Sequence, residues 1–193
     1  MKSLRLPILQ IAKTIMNNRW VLKQYPLNFF SYFLSADSLE FVYHGQELTD
    51  MIEASSKLLD RLAGEDPALI AKAHLLVIYG LILIKDHDAR WSRILYRRFI
   101  KRETLAKISE AEHITRERVR QLQMVALSYL WHKQKDYCQF CLTAFGFASI
   151  VPKPKLPTDK ELTAIMQFDQ KLGSHSNWQL TDYRQTFAKM QQH

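Results

Sequence analysis

Between positions 115 and 121 the chain places Thr115, Arg116, Glu117, Arg118, Arg120 and Gln121. These side chains share one kind of chemistry. A guanidinium donates in a fixed fork to guanine or phosphate, a carboxylate accepts from the cytosine amine, a carboxamide pairs with adenine, and a hydroxyl bonds phosphate. Standing together on one helix face, they would read double-stranded DNA through its major groove.

That task requires a helix whose other face is buried. Val119, Leu122, Ala126 and Leu130 recur at helical spacing after Thr115, and Leu105 and Ile108 do the same before it, so two apolar stripes can close on each other. Ile114 falls at the corner between them. Thr115 is a good N-cap because its hydroxyl can accept from an otherwise orphaned backbone N–H, and Glu117 in the first turn suits the positive helix end. The expected element is a helix-turn-helix whose second helix meets DNA with its N-terminus first.

The same residues resemble region 4 of sigma-70-type transcription initiation factors. The family motif reads T-L-x-x-I, a turn, T-R-E-R-[IV]-R-Q-[IL], then A-L; this chain supplies Thr104, Leu105, Ile108, the run from Thr115 to Leu122, and Ala126-Leu127. Upstream, R-x-x-x-[IV]-L-x-x-R-[FY] is met by Arg90, Ile94, Leu95, Arg98 and Phe99. The resemblance implies that Arg116, Glu117 and Gln121 face bases of the upstream promoter hexamer, that Arg120 faces base or phosphate, and that Arg118 lies toward the backbone. It also implies RNA polymerase as a partner. Two departures stand out. His113 replaces the family's usual turn glycine, at a position that favours positive φ, and the loop between Phe99 and Thr104 is shorter than is common. A region 2, the aromatic helical segment that opens promoters, has no match upstream: residues 46–62, QELTDMIEASSKLLDRL, are amphipathic but lack its aromatics. Promoter melting is not expected.

The charge distribution agrees. The formal net charge is +8, and from Lys85 to Gln121 eleven Lys or Arg face six Asp or Glu, so a surplus of five sits where the reader helix lies. Positive charge concentrated there favours phosphate and makes binding fall with salt. The 47% hydrophobic and 24% charged composition is that of a globular protein. Arg5, Pro7, Gln10 and Lys13 interrupt any signal-type apolar stretch at the N-terminus. Residues 75–84, LLVIYGLILI, are too short to span a bilayer, which takes about 20, and read as a buried core helix. No membrane association is expected. Two cysteines and no signal peptide fit a reducing cytoplasm.

The fold class expected is all-α, a multi-helix protein with a central helix-turn-helix. Helices are predicted over residues 7–16, 27–34, 46–63, 67–85, 89–101, 104–112, 116–133, 158–172 and 182–192. Residues 1–88 form an N-terminal helical domain, 89–133 the reader module, and 134–193 a helical extension with a Pro-rich linker at 152–157. Thr158 with Glu161 makes a capping box, and residues 39–43, LEFVY, alone have a strand-like flavour. Trp20, Tyr25, Phe29, Phe30, Tyr32, Phe33, Phe41 and Tyr43 crowd the N-terminal third. Such rings usually pack in cores, and their excess suggests a partner or homodimer surface.

Cys138 and Cys141 form a C-x-x-C that His132 and His175 could complete as a zinc site, but structural zinc prefers two such pairs and the sequence has one. Two reduced cysteines in an apolar helix or loop are the expectation, with no metal and no cofactor. No phosphate-binding glycine loop or nucleophile elbow is present, so no catalysis is expected. Three readings stay open: a sequence-specific DNA-binding transcription regulator, which is favoured; a divergent sigma factor bound to core RNA polymerase; and a non-catalytic adaptor that uses the scaffold for protein contacts.

Overall fold

The computed structural model describes residues 29–30, 45–63, 67–146 and 153–192. They are all-α: eight α-helices, one π-helical turn and no strand among the described residues. The expected helix at 7–16, the strand-like 39–43 and most of the aromatic group lie outside them. The chain divides into two compact units, Met1–Ile70 and Ala71–His193.

In the first unit, α1 spans Gly45–Ala63. Its buried face is Met51, Ser55, Leu58 and Leu59, the i, i+4, i+7, i+8 spacing of an amphipathic helix. Phe29 and Phe30, the two described members of the aromatic group, are buried and meet edge to face at 5.2 Å.

Helix α2, Pro67–His87, supplies the second unit from Ala71 onward. Leu75 to Leu81 are buried without a break, as a ten-residue apolar run inside a globular core should be. No helix among the described residues is long and apolar enough to cross a membrane. At Gly80 the helix comes so close to its neighbours that a Cβ would stand 2.7 Å from Tyr137 Oη and 3.2 Å from Leu130 Cδ1.

Asp88 ends α2 and starts α3, Ala89–Leu95, its carboxylate accepting from the N–H groups of Arg90 and Trp91. The helix predicted over 89–101 is α-helical only to Leu95; Tyr96–Ile100 forms a π-helical turn closed by the Lys101 N–H on Tyr96 O. α4 is Leu105–Glu112 and α5 is Arg116–Lys133. α6, Lys135–Ala144, is a helix absent from the predicted set, where its sequence read equally as helix or loop. Gln134 makes no side-chain cap for it, which leaves Asp136 in the first turn as the local mark of its start; burial of Tyr137, Cys138 and Phe140 to Ala144 holds it instead.

α7, Asp159–Lys171, opens with the expected capping box: Thr158 Oγ1 accepts from Glu161 N at 3.3 Å and Glu161 accepts from Thr158 N at 2.6 Å. α8, Leu180–Met190, starts two residues before its predicted position. Asp182 is its third residue and reaches back to accept from Gln179 N at 2.7 Å, so the acid lies inside the first turn. Residues 153–158 are non-helical, Pro154 and Pro157 are buried, and Gln191 Nε2 donates to Pro154 O.

A buried polar centre joins α2 to the C-terminal pair. Asp169 is fully buried and accepts from His74 Nε2 at 2.9 Å, His175 Nδ1 at 2.7 Å and Tyr183 Oη at 2.6 Å. An ionised carboxylate only accepts, so each histidine presents an N–H to it. Burial by itself raises a carboxyl pKa, yet the three hydrogen bonds outweigh it and hold Asp169 below its ordinary value. Tyr183 moves up, through burial and its bond to Asp169.

Candidate nucleic-acid interface

The helix-turn-helix is assembled from α3, α4 and α5 around one small core. Ile94, Ile108, Val119 and Leu122 are buried together, with Trp91, Leu105 and Ile114 packed against them. The apolar stripes expected in the sequence thus meet, and Ile114 fills the corner. Ionic contacts brace the same corner from outside. Arg93 pairs with the largely buried Glu112 carboxylate at 3.1 Å, while Arg90 Nη2 donates to the Glu112 carbonyl at 3.1 Å. Arg90 is therefore a fastening of the module. Arg98 is half-buried and donates to Glu103 O at 2.9 Å, and burial pushes its pKa down.

The turn itself rests on His113, which has φ 53° and ψ 46°, the left-handed conformation. Its N–H bonds Glu110 O and the next N–H, of Ile114, bonds Ser109 O, closing the end of α4. Arg102 has φ 55°, so both ends of the short α4 are reached through left-handed residues that are not glycine. His113→Gly is expected to raise stability by about 1 kcal/mol, the usual penalty for a side chain in that region. An unchanged urea midpoint would contradict the strain.

Thr115 caps α5 as expected, accepting from Arg118 N at 3.1 Å. Thr115, Arg116, Glu117, Arg118, Arg120 and Gln121 are all exposed, while Val119 and Leu122 turn inward. Every side chain singled out as a DNA contact thus stands open on one helix, and four of them are linked. Arg120 grips Glu117 with both arms, Nε at 2.9 Å and Nη2 at 2.7 Å; Gln121 Nε2 donates to the same carboxylate at 3.3 Å, and Arg118 Nη1 to Gln121 Oε1 at 3.3 Å. Hydrogen bonding from Arg120 lowers the Glu117 pKa and raises that of Arg120. Sequence reasoning gave each of these side chains its own nucleotide partner and missed this network, although the i, i+3 spacing of Glu117 and Arg120 is the signal for it. The pair is solvent-exposed, so water and salt screen it and it holds the two side chains only weakly. Arg116 has no ion-pair partner among the described residues.

Residues 88–130 match the family model of Sigma-70, region 4. The segment is a region 4 module, a DNA-binding helix-turn-helix of the transcription machinery. It accounts for less than a quarter of the 193 residues. No curated protein and no solved structure matches the chain. The region 4 match begins at Asp88, the cap of α3, so it takes in α3, the π-helical turn, α4 and most of α5.

The C-x-x-C lies away from this face, in α6. Cys138 and Cys141 are buried, unbridged thiols, and Cys138 Sγ donates to Leu130 O at 3.1 Å. Burial raises both, Cys141 to about 12, which keeps them neutral at physiological pH. His132 is exposed, and His175 is committed to Asp169. No group of three or more His, Cys, Asp or Glu that could hold a metal occurs among the described residues.

Proposed function

We propose that this protein is a sequence-specific DNA-binding transcription regulator that reads a promoter element in the major groove with α5. One observation carries the reading: within a region 4 module, Arg116, Glu117, Arg120 and Gln121 are exposed on the first turns of a capped helix. Arg116 takes guanine O6 and N7, Gln121 takes adenine, Glu117 accepts from cytosine, and Arg120 moves between Glu117 and base or phosphate. Arg118 and Thr115 serve the sugar-phosphate backbone, together with the exposed Lys101, Arg102 and Lys107. The reaction partners are nucleotide edges and phosphates, with no catalytic step.

Selection of bound sites from a random duplex library at moderate salt tests this. Arg116→Ala and Gln121→Ala are each expected to relax the preference at one position by about 1–3 kcal/mol, whereas Lys107→Ala weakens binding to all duplexes alike and lowers the salt slope. Only a salt-sensitive background, with no preferred site, would favour the adaptor reading. The region 4 match also supports a second reading, a divergent sigma factor. Stable co-purification with core RNA polymerase together with promoter opening would establish it.

A further inference from the structure

The exposed row on α5 does not end at Gln121. Met124 and Val125 are 39% and 47% exposed, and with Leu156 they are the large apolar side chains left open to solvent among the described residues. At about 100° per residue, Glu117, Arg120, Gln121 and Met124 fall on one side of the helix, opposite the buried Val119, Leu122 and Ala126; beyond Met124 that side is closed by the buried Leu127 and Trp131, so Met124 is the last open place on it. Helices that lie along the major groove read bases with side chains spaced i, i+3, i+4 and i+7. Met124 holds the fourth place of that row, and Val125 borders it.

The chemistry of the row changes abruptly along the helix. From Gln121 to Trp131 α5 carries no charged residue, so this part adds no ionic contact to phosphate. Met124 lies about 10 Å along the axis from Glu117 at 1.5 Å per residue, roughly three base steps at 3.4 Å each. The apolar group that B-DNA offers in the major groove is the C5-methyl of thymine. We infer that Met124, bordered by Val125, reads a thymine methyl and so adds an apolar position to the recognised sequence. This rests on the reader assignment above and goes beyond it by naming the base and the contact.

Deoxyuridine gives the test, because it lacks that methyl and keeps the hydrogen-bonding edge of thymine. The full chain is titrated onto its selected duplex, with each thymine in turn replaced by deoxyuridine. One replacement is expected to weaken binding about fourfold, the effect of burying a single methyl. Met124→Ala should bind the thymine duplex about fourfold more weakly than the wild type and should no longer distinguish it from the deoxyuridine duplex. Both side chains are exposed, so folding is not at stake, and an unchanged urea midpoint checks this. The inference is overturned if every thymine methyl is silent, or if Met124→Ala still senses the replacement. It is also overturned if Met124→Ala and Val125→Ala leave DNA affinity intact and instead abolish co-purification of RNA polymerase, which would make the pair a protein contact. Failure to select any site sinks the reader assignment together with this inference, whereas a selected site with silent methyls sinks this inference alone.

Discussion

Asp169→Ala is expected to lower the stability of the second unit by about 3 kcal/mol or more, the usual result of removing one partner from a buried, hydrogen-bonded charge network. The substitution strips the acceptor from His74, His175 and Tyr183 at once. The two histidines are partly exposed and can turn to water, but Tyr183 is fully buried and its hydroxyl is left without a partner. The network also predicts a pH dependence. Because the folded-state pKa of Asp169 is depressed, its contribution is complete above the ordinary aspartate value, about 4, and is lost as the pH falls through the lower folded value. Urea midpoints measured from pH 7 down to pH 2 should therefore fall in acid, and Asp169→Asn should flatten that fall while starting from a lower midpoint. A midpoint for Asp169→Ala equal to that of the wild type would show that the carboxylate holds nothing together.

Gly80→Ala runs against the usual rule for helices. Alanine within a helix normally stabilises by about 1 kcal/mol relative to glycine. Here the new methyl would sit 2.7 Å from Tyr137 Oη and 3.0 Å from Tyr137 Cζ. The ring cannot easily retreat, since its hydroxyl donates to Leu76 O at 2.9 Å and its edge meets Tyr79 at 5.4 Å between centroids. Overpacking of this kind costs about 1–3 kcal/mol, which outweighs the propensity gain, so a net loss of about 1 kcal/mol is expected. Tyr137→Phe removes the closest atom. On its own it should cost about 1 kcal/mol for the lost hydrogen bond, yet in the Gly80→Ala background it should recover part of the loss. Additive effects in that double-mutant cycle, or stabilisation by Gly80→Ala, would contradict the close approach.

The parts of this molecule that could be read from its sequence are those fixed by short-range rules. Thr115 and Thr158 announced their helices because an N-cap acts within three residues. Val119, Leu122 and Ile108 announced the reader core because helical periodicity exposes a stripe. The reader face followed from them, since whatever is not on the stripe must point outward. α6 was not legible in the same way: its aromatic and cysteine-rich sequence has modest helix propensity, and it becomes helical through what surrounds it. The Asp169 centre left no trace either, because His74 and Asp169 are 95 residues apart and no spacing rule reaches that far. The π-helical turn was likewise invisible, as YRRFI reads simply as more α-helix. The Glu117–Arg120 clasp was legible in principle but hidden by a reading that looked only for nucleotide partners.

The boundary of the recognised segment and the boundary of its last helix do not coincide. The match stops at Leu130, while α5 runs on to Lys133. Leu130 is seated beside Gly80, and its carbonyl receives the thiol of Cys138, both outside the matched residues. The pose of the exposed α5 face is therefore tied to α2 and α6 as well as to the module's own small core. Sequence drift in α2 or α6 can re-aim the exposed α5 side chains without altering a single one of them.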